Sequence, residues 1–162
     1  MKMVAASKMK QDVGRLERSK GFGLGSLQRV FEDEPYLQKK KSTVSVKKTL
    51  LVPFTTDKGL CGGTNSNIVR EVKSMVKEDR NSYKIFIIGD KGSLALARPM
   101  PDLMEHAITN LTIPMNFPTG KNIIKSASSI AYNVLNSAPD CDRIVLLYNE
   151  FKNVISQVQR KV

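Results

Sequence analysis

The chain has no tryptophan, one histidine and two cysteines in 162 residues. Each scarcity removes a class of function. A single histidine, His106, cannot build a histidine-clustered metal site. A serine or cysteine relay would have to run through it, from a Pro-flanked loop with no nucleophile elbow nearby. Cys61 and Cys141 are too far apart for a CxxC motif. Two cysteines also cannot staple a secreted fold of this length, so reduced thiols in an intracellular compartment are expected. No apolar run approaches the roughly 18 residues that span a bilayer. The N-terminus is basic and Met-rich and lacks a signal-peptide apolar core, so a soluble chain is expected.

What is plentiful is positive charge. A formal net charge of +11 implies an acidic partner, whether nucleic acid, an anionic membrane or another protein, and the bland reading is solubility alone. Nucleic-acid binding is the natural rival for so basic a chain. Aromatics, however, are only 6% of residues, and the basic clusters Lys39–Lys41 and Lys47–Lys48 have no stacking residues between them. A basic nucleic-acid-binding α/β domain stays as the alternative. Hydrophobic residues at 41% and charged residues at 25% are ordinary globular usage and suit one modest domain.

Three segments follow from the patterning. Residues 1–20 predict a helix on which Ala5, Met9, Val13 and Leu16 share one narrow apolar stripe, as in a coiled-coil seam. A lone helix of that length is marginal in water and needs a companion. It carries no N-cap before Met1 and reads as a helix cut at its start. Residues 21–43, with Gly21, Gly23 and Gly25, predict a connection with one short helical turn near residues 27–31. Residues 44–162 alternate strand and helix. Apolar strands are expected over 46–55, 84–89 and 143–151, with a weaker one at 107–113 and an edge strand within 153–162. Helices are expected from Asn65, as cap, to Glu78, from Ser93 to the stop at Pro99, and over 121–136. Strong strands separated by helices imply βαβ crossovers and a largely parallel, Rossmann-like sheet.

A Gly-rich turn between strand and helix is a place where backbone N–H groups can cradle phosphate, and GLCGG (59–63) occupies one. It lacks both GxGxxG spacing and the acidic ribose ligand about 20 residues on, and neither it nor TGKN (119–122) completes a Walker A motif. Asp57, at the carboxyl end of the first strand, stands where phosphoryl-transfer folds keep a carboxylate. TTDKG offers no second carboxylate for magnesium, so an Asx-type turn is the favoured role. Cys61 reads as a thiol packing the turn rather than a reactive one. No catalytic, cofactor or metal site is expected.

Three stretches in order carry a resemblance. MKMVAASKMK (1–10), TTDKGLCGGTNSNI (55–68) and LYNEFKNVISQV (147–158) resemble segments of the gamma subunits of F-type ATP synthases, the second being the family's signature turn: Asp57, Gly59, Leu60, Cys61, Gly62 and Gly63. The resemblance implies an α/β domain inserted between two helices of an antiparallel coiled coil, the longer C-terminal helix being absent from this chain. It also implies a non-catalytic central-stalk rotor, which transmits torque between the membrane c-ring and the catalytic hexamer. The implied partners are the alpha and beta subunits, epsilon/delta-type stalk subunits and the c-ring, with no nucleic acid, no membrane span and no cofactor. Met1, Lys2, Val4 and Ala5 match the helix segment lying against beta. Lys58 matches the basic position facing an acidic lever loop of beta, where the family more often has Arg; lysine lacks that residue's bidentate fork. Arg70 and Lys73, three apart on one helix, either extend that basic surface or form a solvated face. GFGLGSLQRVFED (21–33) and GDKG (89–92) resemble mitochondrial members, and the dithiol insertion of chloroplast members is absent. The implied location is the matrix side of the mitochondrial inner membrane.

Overall fold

The computed structural model describes residues 2–20, 29, 46–59, 61–109, 121–153 and 156–162. The chain divides into two compact units, Met1–Ser45 and Val46–Val162. In the first unit the expected helix is present as α1, Lys2–Lys20. Its polar side is laced by i,i+3 ion pairs, Arg15 to Asp12 at 3.0 Å and Lys20 to Glu17 at 2.7 Å, a spacing that neighbours on one helix face favour. Along the apolar stripe Met9 and Leu16 are exposed and Val13 is half-buried. The turn expected near residues 27–31 lies outside the described residues except for Arg29, which is helical.

The second unit holds β1 Thr49–Pro53, α2 Thr64–Glu78, β2 Tyr83–Ile88, α3 Asp90–Ala97, β3 Met104–Ile108, α4 Lys121–Ser137, β4 Arg143–Phe151 and β5 Gln157–Lys161. The five strands form one sheet in the order β3-β2-β1-β4-β5. The pairings of β1 with β2 and β4, and of β2 with β3, are parallel, while β5 runs antiparallel to β4. This is the largely parallel sheet that strands alternating with helices imply. β1 is central and buried at all five positions, which is why TLLVP reads as a continuous apolar run rather than an alternation.

Alternate residues of the strands feed two cores. Leu51, Ile85, Ile87, Val145 and Leu147 pack with Ile68, Val72 and Val76 of α2 and Leu96 of α3 on one face. Leu50, Val52, Phe86 and Ile88 pack with Val134 of α4 and with Ala138 on the other. Each fully buried Leu, Ile, Val or Phe in such layers contributes about 1.5–3 kcal/mol relative to exposure.

Several boundaries differ from expectation. β1 is shorter than 46–55 at both ends, and Phe54 contributes only an isolated bridge to Ile88. β3 spans Met104–Ile108 rather than 107–113, because its partners on β2 are Ile85 to Ile88; residues 110–113 lie outside the described residues. His106 is therefore on an edge strand and not in a loop, exposed, with its ring centroid 5.4 Å from that of Phe86.

Candidate functional site: the Gly-rich turn and its basic flank

The turn from Thr55 to Thr64 joins β1 to α2 at the carboxyl end of the parallel strands, and its shape comes from side chains reaching across it. Asn65 is the chief brace. The backbone N–H of Thr56 donates to Asn65 Oδ1 at 3.0 Å, while Asn65 Nδ2 donates to Thr56 Oγ1 at 2.8 Å and to Cys61 Sγ at 3.0 Å. Thr56 Oγ1 in turn donates to the Lys58 carbonyl at 2.6 Å. Asn65 was expected as the cap of α2. The helix instead starts at Thr64, with Gly63 as the N-cap residue and no side-chain cap, because the Asn65 amide is spent on the turn. Cys61 is a free, half-buried thiol within this network, consistent with a packing role.

Asp57 does not form a local Asx turn. Its Oδ1 accepts from the backbone N–H of Asp90 at 2.9 Å, thirty-three positions away at the start of α3. The Thr56 carbonyl accepts from Lys91 N–H at 3.1 Å, and Thr55 Oγ1 accepts from Gly92 N–H at 3.1 Å. The first three N–H groups of α3 are thus satisfied by this turn, and α3 begins at Asp90 rather than Ser93 for that reason. A phosphate there would have to displace the chain's own groups, and the Asp57 carboxylate is already committed.

Two glycines are required. Gly62 has φ +60° and open space around it, so its need is conformational. Gly89, just before α3, has φ +102°, and a Cβ there would fall 2.6 Å from the Thr55 carbonyl carbon. Gly63, at φ −77°, has no such requirement, so the permissive pair expected at 62–63 reduces to Gly62.

The other side of the turn is tied to the β4–β5 hairpin. Asn149 Nδ2 donates to the Thr64 carbonyl at 3.1 Å, and Gln157 Nε2 donates to Thr64 Oγ1 at 2.6 Å. The second and third resembling stretches are therefore one bonded unit. Neither Asn149 nor Gln157 was singled out beforehand, and their polar identity inside or beside an apolar strand was the available signal.

Lys58, Arg70 and Lys73 are all exposed, and none has an ion-pair or hydrogen-bonding side-chain partner among the described residues. Lys91 lies over Gly59, where a Cβ would come 3.7 Å from Lys91 Cε, and it reaches the same groove as Arg70 and Lys73. Four cations thus line a continuous path from the turn along α2, and Lys91 is the member that patterning missed. Of the other candidates, Met1 and Leu60 lie outside the described residues. Lys2, Val4 and Ala5 lie in α1 of the other unit.

A parallel α/β domain whose first strand leads through a braced glycine turn into a helix is Rossmann-like in class. The model of the family described as ATP synthase matches residues 1–162. Over 98% of this chain and 55% of its relative, it is 31% identical to the ATP synthase gamma chain of Brevibacillus brevis. Over 96% of the chain and 49% of the relative, it is 30% identical to the mitochondrial ATP synthase subunit gamma of Drosophila melanogaster. The central stalk of the Tetrahymena thermophila mitochondrial ATP synthase superposes with a TM-score of 0.84 at 46% identity, covering 100% of this chain and 69% of that one. The chain belongs to the gamma-chain family of ATP synthase. A gamma chain is a non-catalytic component of that complex. The chain spans about half the length of the curated relatives it matches, and the mitochondrial relatives support a mitochondrial location.

Proposed function

We propose that this chain is part of the rotor of a proton-driven ATP synthase on the matrix side of the mitochondrial inner membrane. It carries torque between the c-ring and the catalytic hexamer of alpha and beta subunits, and its asymmetric face holds the three beta subunits in different states. In this reading α1 is one strand of a coiled-coil shaft, with Met1, Lys2, Val4 and Ala5 against beta. The α/β domain is the foot that meets the epsilon/delta-type subunits and the c-ring. No bond chemistry is asked of this chain.

The observation that carries the reading is the bracing of the signature turn. A turn that hands on force must not deform, and here it is anchored to α3 by Asp57, to α2 by Asn65 and to the β4–β5 hairpin through Thr64. That leaves Lys58 as an exposed cation on a stiff base, suited to meet an acidic loop. Lys58→Glu in the assembled complex is expected to lower ATP-driven proton pumping several-fold while the circular dichroism of the chain is unchanged. Pumping at the parental rate would remove Lys58 from the coupling path.

A further inference from the structure

Beyond the turn itself, α2 and α3 enclose an open groove of about 480 Å³ lined by Asn65, Ser66, Val69, Arg70, Lys73, Lys91 and Ala95. Val69 and Ala95 supply its apolar floor. Arg70 and Lys73 form one rim and Lys91 the other. We propose that this groove is a docking site for an acidic amphipathic helix of a partner protein.

Three observations select that occupant. The rim is cationic and unneutralised. Among the described residues Arg70 and Lys73 have no partner, and the nearest acid to Lys91 is its neighbour Asp90 at a loose 3.9 Å. The one acidic residue of α2's middle, Glu71, is directed to Lys161 at 3.9 Å, away from this set. Secondly, the walls are helices. Their backbone groups are internally bonded and no strand edge borders the groove, so an extended peptide would gain no main-chain pairing, whereas a helix gains side-chain contacts at i, i+3 and i+4 spacing. Thirdly, Leu94 of α3 is 63% exposed beside the lining residue Ala95, which extends the apolar strip that an amphipathic helix would cover. A nucleic acid would use the cations but not the Val69–Ala95 floor, since no aromatic side chain lines the groove for base stacking.

The proposal stands apart from the torque reading, because it concerns the helix pair and not Lys58. Its test is fluorescence anisotropy of the whole chain with a labelled synthetic helix bearing glutamates on one face and alanine and leucine on the other. A scrambled peptide of the same composition and a single-stranded oligonucleotide serve as comparisons. The ordered helix is expected to bind at least tenfold more tightly than the scrambled peptide. Arg70→Glu should weaken it at least tenfold, whereas Lys77→Glu, an equal charge change on α2 outside the groove, should leave it within twofold. Ala95→Phe, which fills an exposed floor position without touching the core, should also weaken it. Equal binding of the ordered and scrambled peptides overturns the docking site, as does equal loss in Arg70→Glu and Lys77→Glu or tighter binding of the oligonucleotide. Circular dichroism of each variant confirms that folding is retained.

Discussion

At Gly62 the backbone sits at φ +60° with nothing within 4 Å of where a Cβ would be, so substitution there isolates conformational strain from packing. Gly62→Val should lower stability by about 1–2 kcal/mol, the cost of placing a side-chain-bearing residue in the left-handed region, and lower Tm accordingly. Gly89→Ala should cost more, because strain and collision with Thr55 act together. An unchanged Tm in Gly62→Val would refute the conformational account. A second residue of interest is Asp140, below the sheet. Lys48 Nζ at 2.7 Å and Lys84 Nζ at 3.2 Å hold it, and first Lys48, then Lys84, pull its carboxyl from 3.8 down to about 2. The folded chain therefore binds that proton more weakly than the unfolded chain. Whatever Asp140 contributes is present above pH 3.8 and is lost as pH falls from there through about 2. Asp140→Asn should flatten the acid limb of a Tm-versus-pH curve in that window, and an unchanged limb would count against the pairing.

Among the elements, α2 is the one on which the site depends, and its start is held from outside. Asn149 and Gln157 both bond Thr64, and each such bond is worth about 0.5–1.5 kcal/mol net. Asn149→Leu is expected to lower global stability by about 1 kcal/mol and to speed hydrogen exchange in the first turn of α2, with β1 and β2 amides slowed or sped only by the global change. Equal protection in that first turn would mean the hairpin does not anchor it. The same contacts explain what was legible beforehand. β2 and β4 were readable to within a residue, because KIFII and RIVLLYNEF are runs whose burial is decided by their own composition. α4 and the apolar stripe of α2 were readable from their period. The starts of α2 and α3, the role of Asp57 and the extent of β3 were not, since each is settled by a group far along the chain: Asn65 on Thr56, Asp57 on Asp90, Ile88 on Ile108. Local pattern carries the apolar layers; the polar braces belong to the tertiary fold.

For the whole molecule, a rigid two-core α/β domain with a cationic path beside its signature turn is the foot, and α1 is the helix expected to join a shaft. Its large positive charge fits an acidic protein surface as readily as a polyanion, so the separating observation is what the chain assembles with. The most direct measurement is native purification of the tagged chain from its own mitochondria, with co-purifying subunits identified and counted by mass. The account predicts alpha and beta in a three-to-three ratio (the hexamer) per copy of this chain, together with c-ring subunits and no dependence on nuclease treatment. Recovery with nucleic acid alone, or without alpha and beta, would contradict it.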